Sequence, residues 1–521
     1  MDGADRLAVI DLGSNTFRLV VFSYGASEAG NRYYYRSDEI YEPVRLAEGL
    51  GRTGRLGEPA IGRATSALSI FAHFLRASGI PQEAVVAVAT EAVRRAANGG
   101  EFLALAKAQS GVGVRLLSGV EEAHYGYLAA ANTTTITDGY LFELGGGSLQ
   151  IVELVGRQPV RKLSLPLGTV TLTEQFCPGP GPVPPAALER LRTALRDRLH
   201  DALPWREAER LVGIGGAVRN LATALAPKGL PTTAQGLLIA REPLRKLTAR
   251  LADLPAGQRA RMPGIKTARA DVIVAAAVLL EVLIELAGGQ PLEATEAGLR
   301  EGIFFERFFA DGGGLVDDVR RFSVLNLAAR YGLDGPHANH VAALALSLFD
   351  QAVALRLFTP LSNERELLWA AAILHDVGMA VDYDDHHRHS RYLILHQPLA
   401  GYSPWEVAAI AQLARYHRKG EPGAGPFRFL LGQEGEGLVR RGAALLRLAE
   451  NLERARDQAV AAITLQPEGE GVRVVVEGEG ELALQRWAAA READLFQAAF
   501  GLRLVGVESR PAVGTAGGRA P

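Results

Sequence analysis

Residues 7–22 read LAVIDLGSNTFRLVVF, and the architecture is decided by how that stretch is read. Val9 and Ile10 run into a Gly-Ser-Asn turn, and Leu19 to Phe22 leave it, so strand formers flank turn formers and a hairpin is predicted. Residues 139–154, GYLFELGGGSLQIVEL, repeat the order of an acidic residue, a glycine-containing turn and a second β-rich run. Two related halves are therefore expected. Between them a helical stretch at 61–77, a strand at 85–89 and a helix beginning near Glu91 alternate as α/β layers do.

Working outward, 521 residues exceed what one hydrophobic core usually serves, so several folding units are expected. Hydrophobic residues make up 48% and charged residues 22%, which excludes disordered and fibrous classes. Lys plus Arg number 56 against 58 Asp plus Glu, so no global field draws the chain onto nucleic acid or an anionic membrane. Any polyanion must be held by a local site. Cys177 is the single cysteine, which rules out an internal disulfide and a cysteine zinc cluster. The apolar run 272–286 is interrupted by Glu281 and Glu285 and reads as core, and no secretion signal is visible, so a cytoplasmic protein is expected.

Past Phe322 the β signals fade, and apolar residues recur at helical spacing in VAALALSLFDQAVAL and RELLWAAAILHDVG. From Ala459 onward two or three strands and then a helix, QRWAAAREADLFQAAF, are expected. The boundaries this gives are 1–130 and 131–315 for two α/β domains, 316–460 for a helical domain and 461–510 for a small α+β domain. Residues 511–521 are read as a mobile tail.

The turns DLGSNT and ELGGGS place backbone N–H groups close together, as an anion requires, with glycine letting a ligand approach the main chain. Gly13, Ser14, Asn15 and Thr16 form the first candidate phosphate loop; Gly145, Gly146, Gly147 and Ser148 form the second. Either alone reads equally well as a plain hairpin turn; two copies with matching flanks favour a ligand. Asp11 and Glu143, just before the turns, are candidate metal ligands. A third glycine site, LVGIGGAVRNLA, passes from strand to helix at Gly215 and Gly216, where free N–H groups attract anions. Arg219 on that helix and Arg94 or Arg95 after the 85–89 strand are candidate phosphate partners, although most arginines are surface residues.

The stretches IDLGSNTFRL, TEAVRRAAN, LLSGVEEAHYGY, ELGGGS, GIGGAVRNLA and AGLREGI, in that order, resemble the exopolyphosphatase and guanosine pentaphosphate phosphohydrolase family. That family lies within the sugar kinase, heat-shock chaperone and actin superfold. The resemblance implies two actin-like α/β domains with a cleft between them, and hydrolysis of terminal phosphate from inorganic polyphosphate. Conversion of guanosine pentaphosphate to tetraphosphate is the enzyme alternative, and a noncatalytic polyphosphate or alarmone-binding regulator the nonenzymatic one. It also implies Mg2+ or Mn2+ as cofactor, a homodimer, Arg94 as the preferred phosphate-binding arginine, and Glu122 as the general base. Adjacent glutamates at a helix start commonly just favour the helix dipole, so that role rests on the resemblance. An unperturbed glutamate ionises near pH ~4.3, which predicts a carboxylate at neutral pH.

Two residues depart from the family pattern. Glu143 stands where aspartate is usual, and Gln150 where glutamate is usual. The first lengthens a carboxylate arm; the second removes a negative charge. HVAALALSLFDQ, ILHDVGM, HHRHSRYLI and LARYHRKG resemble the HD-related domain of the family's longer members. His340, His375 and Asp376 are accordingly a second candidate metal set, with His386, His387, His389, His396 and His417 downstream and Glu450, Asn451 and Glu453 in place of the usual late aspartate. A structural role for these histidines is the favoured reading.

Overall fold

The first hairpin closes where the alternation of residues 7–22 places it. β1 (Asp5–Leu12) and β2 (Phe17–Ala26) pair antiparallel with Asp11 opposite Arg18 and Leu12 opposite Phe17. β3 (Arg32–Glu42), β4 (Val85–Ala89) and β5 (Val114–Leu116) complete a sheet of order β3-β2-β1-β4-β5, in which β1, β4 and β5 run parallel. The structure, a computed structural model, describes residues 4–177, 179–230, 233–478 and 480–511.

The second half repeats this plan strand for strand. β6 (Gly139–Leu144) and β7 (Leu149–Val155) form the matching hairpin, with Glu143 opposite Gln150 and Leu144 opposite Leu149. With β8 (Gln158–Leu165), β9 (Arg210–Ile214), β10 (Leu238–Ile239) and β11 (Leu292–Ala294) the order is β10-β11-β9-β6-β7-β8. Leaving out β10, the order β8-β7-β6-β9-β11 reproduces the first sheet. Asp11 and Glu143 thus occupy equivalent positions at the ends of equivalent strands. The fold is α/β with two actin-like lobes, followed by a helical region.

Each lobe has its own core. Ala8, Ile10, Leu12, Phe17, Leu68 and Phe71 belong to the first, and Phe142, Ile151, Leu211 and the Ile273–Leu286 helix to the second. That helix is buried over most of its length, as its apolar run predicts. Its two carboxylates are paired: Arg192 donates to Glu281 at 3.0 and 3.2 Å, and Arg196 to Glu285 at 3.0 and 3.2 Å. Among the described residues no helix is long and apolar enough to cross a membrane.

By packing, the chain divides into two units: residues 1–24 with 34–319, and residues 25–33 with 320–521. The first unit holds both lobes. In the second, the helices Pro336–Ala354, Glu364–Leu374, His386–His396, Pro404–Tyr416 and Arg428–Leu452 pack around one apolar cluster. β12 (Val460–Glu468), β13 (Gly471–Gly478) and β14 (Arg503–Pro511) contribute Ile463, Val474 and Leu504 to the same cluster. The helix expected over 485–500 is two, Ala483–Ala490 and Ala493–Phe500. The break brings Glu492 to Asn451, which donates to it at 3.1 Å. β14 pairs parallel with β13. Of the tail expected from 511, Pro511 ends β14 and 512–521 lie outside the described residues.

Candidate active site

The two turns that follow Asp11 and Glu143 close with the equivalent backbone hydrogen bond. Gly13 N donates to Thr16 O at 3.2 Å, and Gly145 N donates to Ser148 O at 3.0 Å. Neighbouring segments then take up the turns' carbonyls. Arg45 N and Ala47 N donate to Asn15 O and Ser14 O at 2.8 and 2.9 Å; Gly168 N, Thr169 N and Val170 N donate to Gly147, Gly145 and Gly146 carbonyls at 3.1, 3.0 and 2.9 Å. With these carbonyls engaged by neighbouring segments, the turns are left with their amides as the backbone groups an anion can use, as in an anion-binding nest. Gly168 is required for this closure, because a Cβ there would sit 2.2 Å from Gly147 C.

The turns face one another. A Cβ on Gly146 would lie 3.3 Å from Ser14 Cβ, and one on Gly147 would lie 3.2 Å from Ser14 Oγ and collide with the Glu91 carboxylate. They line a common cavity of about 150 Å3 with Asp11, Glu122, Glu143, Gln150 and Arg269. Gly13, Ser14, Asn15, Thr16, Gly145, Gly146, Gly147, Ser148, Asp11, Glu143 and Glu122, each expected here from sequence, are therefore gathered in one place.

Glu122 lies on the Gly119–Ala131 helix, whose start is fixed by a capping box between Ser118 and Glu121. Glu121 is thus the capping residue, which frees Glu122, one position on, to turn inward. Its Oε1 accepts from Arg94 Nη1, and its Oε2 accepts from Gln150 Nε2 at 2.9 Å. Burial raises its pKa to about 7, against the lowering effect of Arg94. Its ionisation therefore falls near neutrality, and the full carboxylate expected from an unperturbed glutamate is corrected to a group poised between its two forms.

Glu143 is deeper. Burial first, then Glu122 and Asp11, raise its pKa to about 8. Its Oε2 is buried without a hydrogen-bond partner among the described residues. Room for the longer arm comes from Gly126, where a Cβ would lie 2.5 Å from that oxygen. Burial also raises Asp11, opposed by Arg300 and Arg18. Three carboxylates so placed repel one another until a cation or protons intervene. The donor set, hard oxygens around an unpartnered buried carboxylate, fits a divalent cation.

Gln150 accounts for its own departure from the family pattern. Its amide nitrogen lies 2.9 Å from Glu122 Oε2 and 2.7 Å from Ser148 Oγ, so it tethers the Glu122 carboxylate to the second turn. A glutamate there would instead add a further negative charge to a cavity already lined by Asp11, Glu91, Glu122 and Glu143.

Of the expected phosphate ligands, Arg94 and Gly215 do not line this cavity, and Gly216 lines the pocket next to it. Arg94 Nη1 is committed to Glu122 and to Leu117 O at 2.6 Å, because the short helix Glu91–Arg95 aims it at the Gly119–Ala131 helix. Gly215, with φ 119°, closes against the β6 end, where a Cβ would come 2.6 Å from Leu144 O. Gly216 is covered by Arg269, whose guanidinium carbon would be 2.3 Å from a Cβ there.

Arg269 was not legible in the sequence. It lines both the carboxylate cavity and a neighbouring pocket of about 690 Å3 that also holds Arg18, Arg36, Arg219, Lys266 and Arg300, against Glu39 and Glu296 as acidic residues. Arg269 makes no ion pair among the described residues, and burial, then Arg219 and Arg18, lower its pKa to about 10. It keeps its charge at neutral pH. Arg18 and Arg300 fall inside IDLGSNTFRL and AGLREGI, the signal that would have found them; Arg36, Lys266 and Arg269 carry none.

In the second unit, His375 and Asp376 do come together, but His340 is not with them; its Nε2 is 3.5 Å from Glu453 Oε2. His337, one helical turn earlier and overlooked in the sequence, takes that place beside His375 and Glu450. His386 and His417 flank Asp376.

A duplicated sheet with facing turns and a carboxylate-lined cleft defines an actin-like phosphate-handling protein. Residues 38–309 match the model of the Ppx/GppA phosphatase family, and residues 319–485 that of Ppx/GppA phosphatase, domain III. The chain belongs to the Ppx/GppA phosphatase family. Among solved structures, the Aquifex aeolicus Ppx/GppA family member is 27% identical, with 59% of this chain and 99% of that one covered and a TM-score of 0.51. An exopolyphosphatase from Cytophaga hutchinsonii is 21% identical, with 59% and 98% covered and a TM-score of 0.52, and bears on the fold alone. Membership makes a phosphatase of the chain at the level of the family; its substrate is a separate matter.

Proposed function

We propose that this protein is an exopolyphosphatase, hydrolysing the terminal phosphoanhydride of inorganic polyphosphate at Glu122. The observation that carries this reading is that Arg269 lines both the cavity holding the two turns and Glu122 and the neighbouring pocket lined by six cationic and two acidic side chains. A linear polyanion suits such a lining: its end sits on backbone amides while the following phosphates meet Arg269, which makes no ion pair among the described residues, and the cations beside it.

In this scheme the amides and hydroxyls of residues 13–16 and 145–148 hold the terminal phosphoryl group. Glu122 Oε1 or Oε2 accepts a proton from a water as its oxygen bonds to phosphorus, and the bridging P–O bond breaks to release a chain one phosphate shorter. A base with a pKa of about 7 divides its time between accepting that proton and returning it to solvent. Gln150 and Arg94 keep the carboxylate pointed into the cavity. Asp11 and Glu143 would hold the Mg2+ or Mn2+ implied by the family, which when bound offsets negative charge on the phosphoryl oxygens.

A second reading, guanosine pentaphosphate hydrolysis, is favoured by Tyr41. Its ring lines the larger pocket, 38% exposed, with Arg18 5.0 Å from its centroid, a surface on which a base can stack. Phosphate release from long polyphosphate and from guanosine pentaphosphate, with Mg2+ and Mn2+ supplied separately, decides between them. A kcat/KM at least tenfold higher on polyphosphate is expected. The reverse ratio would replace the substrate and leave the site; no release from either, with tight binding of one, would make the protein a sensor.

A further inference from the structure

The sheet topology delivers Glu91 to the two turns. β4 runs parallel to β1 with Ala89 opposite Leu12, so the residues just past Ala89 emerge at the same sheet edge as the first turn. Thr90 Oγ1 donates to Leu12 O at 3.5 Å, and Glu91 opens the short helix Glu91–Arg95. The motif TEAVRRAAN suggests phosphate ligands through its arginines. In the fold it is the glutamate of that motif, 7% exposed, that lines the cavity.

Its carboxylate sits beside the seam between the turns. A Cβ on Gly147 would lie 2.7 Å from the Glu91 carboxyl carbon and 3.2 Å from Ser14 Oγ, so a residue without a side chain at 147 is what leaves room for it. Glu91 Oε1 accepts from Arg95 Nη1 at 3.1 Å, and the arginine side chain is 40% exposed. Oε2, the oxygen nearest Gly147, accepts no hydrogen bond among the described residues. Arg94, the other cation of this helix, is committed to Glu122. One carboxylate oxygen without a donor therefore borders backbone amides that suit an anion.

A carboxylate only accepts hydrogen bonds, so it has nothing to offer a phosphate oxygen that carries no proton. Two negative charges held side by side away from bulk water repel, and the half-exposed Arg95 offsets part of that repulsion. The cost to each bound state grows with the charge on its phosphoryl oxygens. A chain end before cleavage and orthophosphate after it are held as full anions. In a loose transition state the moving phosphoryl group approaches metaphosphate and carries less charge.

We propose that Glu91 expels orthophosphate from the two turns: its charge disfavours the phosphate anion held there before and after cleavage more than the group in transit, so that each product leaves promptly. The effect on bound orthophosphate needs only the turns and Glu91; the effect on turnover rests on the hydrolytic reading above. Removing the charge should deepen both ground states together, which lowers KM and kcat in parallel.

The test uses the full chain and Glu91→Gln, which keeps an acceptor for Arg95 and loses the charge. Titration calorimetry with inorganic phosphate in saturating Mg2+, without polyphosphate, should show ~10-fold or more tighter binding in the variant. On polyphosphate, KM and kcat should each fall ~3- to 10-fold with kcat/KM within ~3-fold of wild type, and inhibition by added phosphate should strengthen. Arg95→Gln, which leaves the carboxylate less neutralised, should shift phosphate affinity the other way, by ~2-fold or more; it decides the matter where Glu91→Gln does not fold. Phosphate affinity unchanged or weaker in Glu91→Gln, unchanged or tighter in Arg95→Gln, or a fall in kcat with KM unmoved overturns the proposal. Because the titration needs no turnover, the predicted shift in a chain inert toward polyphosphate would keep the role of Glu91 and remove the substrate, and turnover without the shift would do the reverse.

Discussion

Replacing Arg94 with Gln separates two accounts of that residue. Its guanidinium donates to Glu122, with the arginine side chain 29% exposed and the glutamate 7%. A charge-assisted hydrogen bond of this kind contributes ~1.5–3 kcal/mol, which is ~1–2 pKa units at ~1.36 kcal/mol per unit. The bond favours the carboxylate, so its loss moves the Glu122 pKa upward from about 7, to ~8–9 on that arithmetic. Hydrolysis needs the ionised base, so activity is lost as pH falls through the pKa, and the acid limb must shift to higher pH. At pH 7 the ionised fraction drops from one half to ~1–10%, a ~5- to 50-fold fall in kcat, while by pH 10 the variant comes within ~2-fold of wild type. Phosphate release at saturating polyphosphate from pH 5.5 to 10 measures it. An unmoved acid limb, or a loss of equal size at every pH, refutes the reasoning; the latter would return Arg94 to the phosphate-binding role expected from sequence.

Three other substitutions probe the same cavity. Arg269→Gln removes a cation with no ion pair among the described residues; KM for long polyphosphate should rise ~10-fold or more and its dependence on salt should flatten, with thermal stability unchanged or higher. Gly126→Ala drives a methyl group into the Glu143 carboxylate, 2.5 Å away, so kcat should fall ~10-fold through displacement of that oxygen. The gain in helix propensity is worth ~1 kcal/mol, so urea denaturation should show no loss of stability. Gln150→Glu exchanges a donor 2.9 Å from Glu122 for a like charge, which should raise the acid limb by ~1 pH unit or more and lower the Mg2+ concentration for half-maximal rate.

Much of this site was readable because it is local in the chain. The turns after Asp11 and Glu143 are encoded within six residues each, and their duplication in 7–22 and 139–154 announced the duplicated sheet. The capping box that turns Glu122 inward is likewise written in SGVEEA. What escaped depends on distant packing. Arg269 reaches the cavity only because it lies over Gly216, and Arg94 is diverted to Glu122 by the short Glu91–Arg95 helix rather than by its motif. Gln150 reads in the sequence only as a lost negative charge; in the fold it is a tether for the base. His337 was passed over for His340 because both suit a helical face, and only the packing of five segments shows which one meets His375.

Glu122 acts, on this reading, on a phosphate end that the two turns have already bound. Polyphosphate binding and phosphate release measured side by side on Glu122→Gln test it most directly. Affinity should stay within about threefold of wild type while release falls by ~10²–10⁴, the contribution of a positioned general base; turnover at the wild-type rate with binding intact would contradict it.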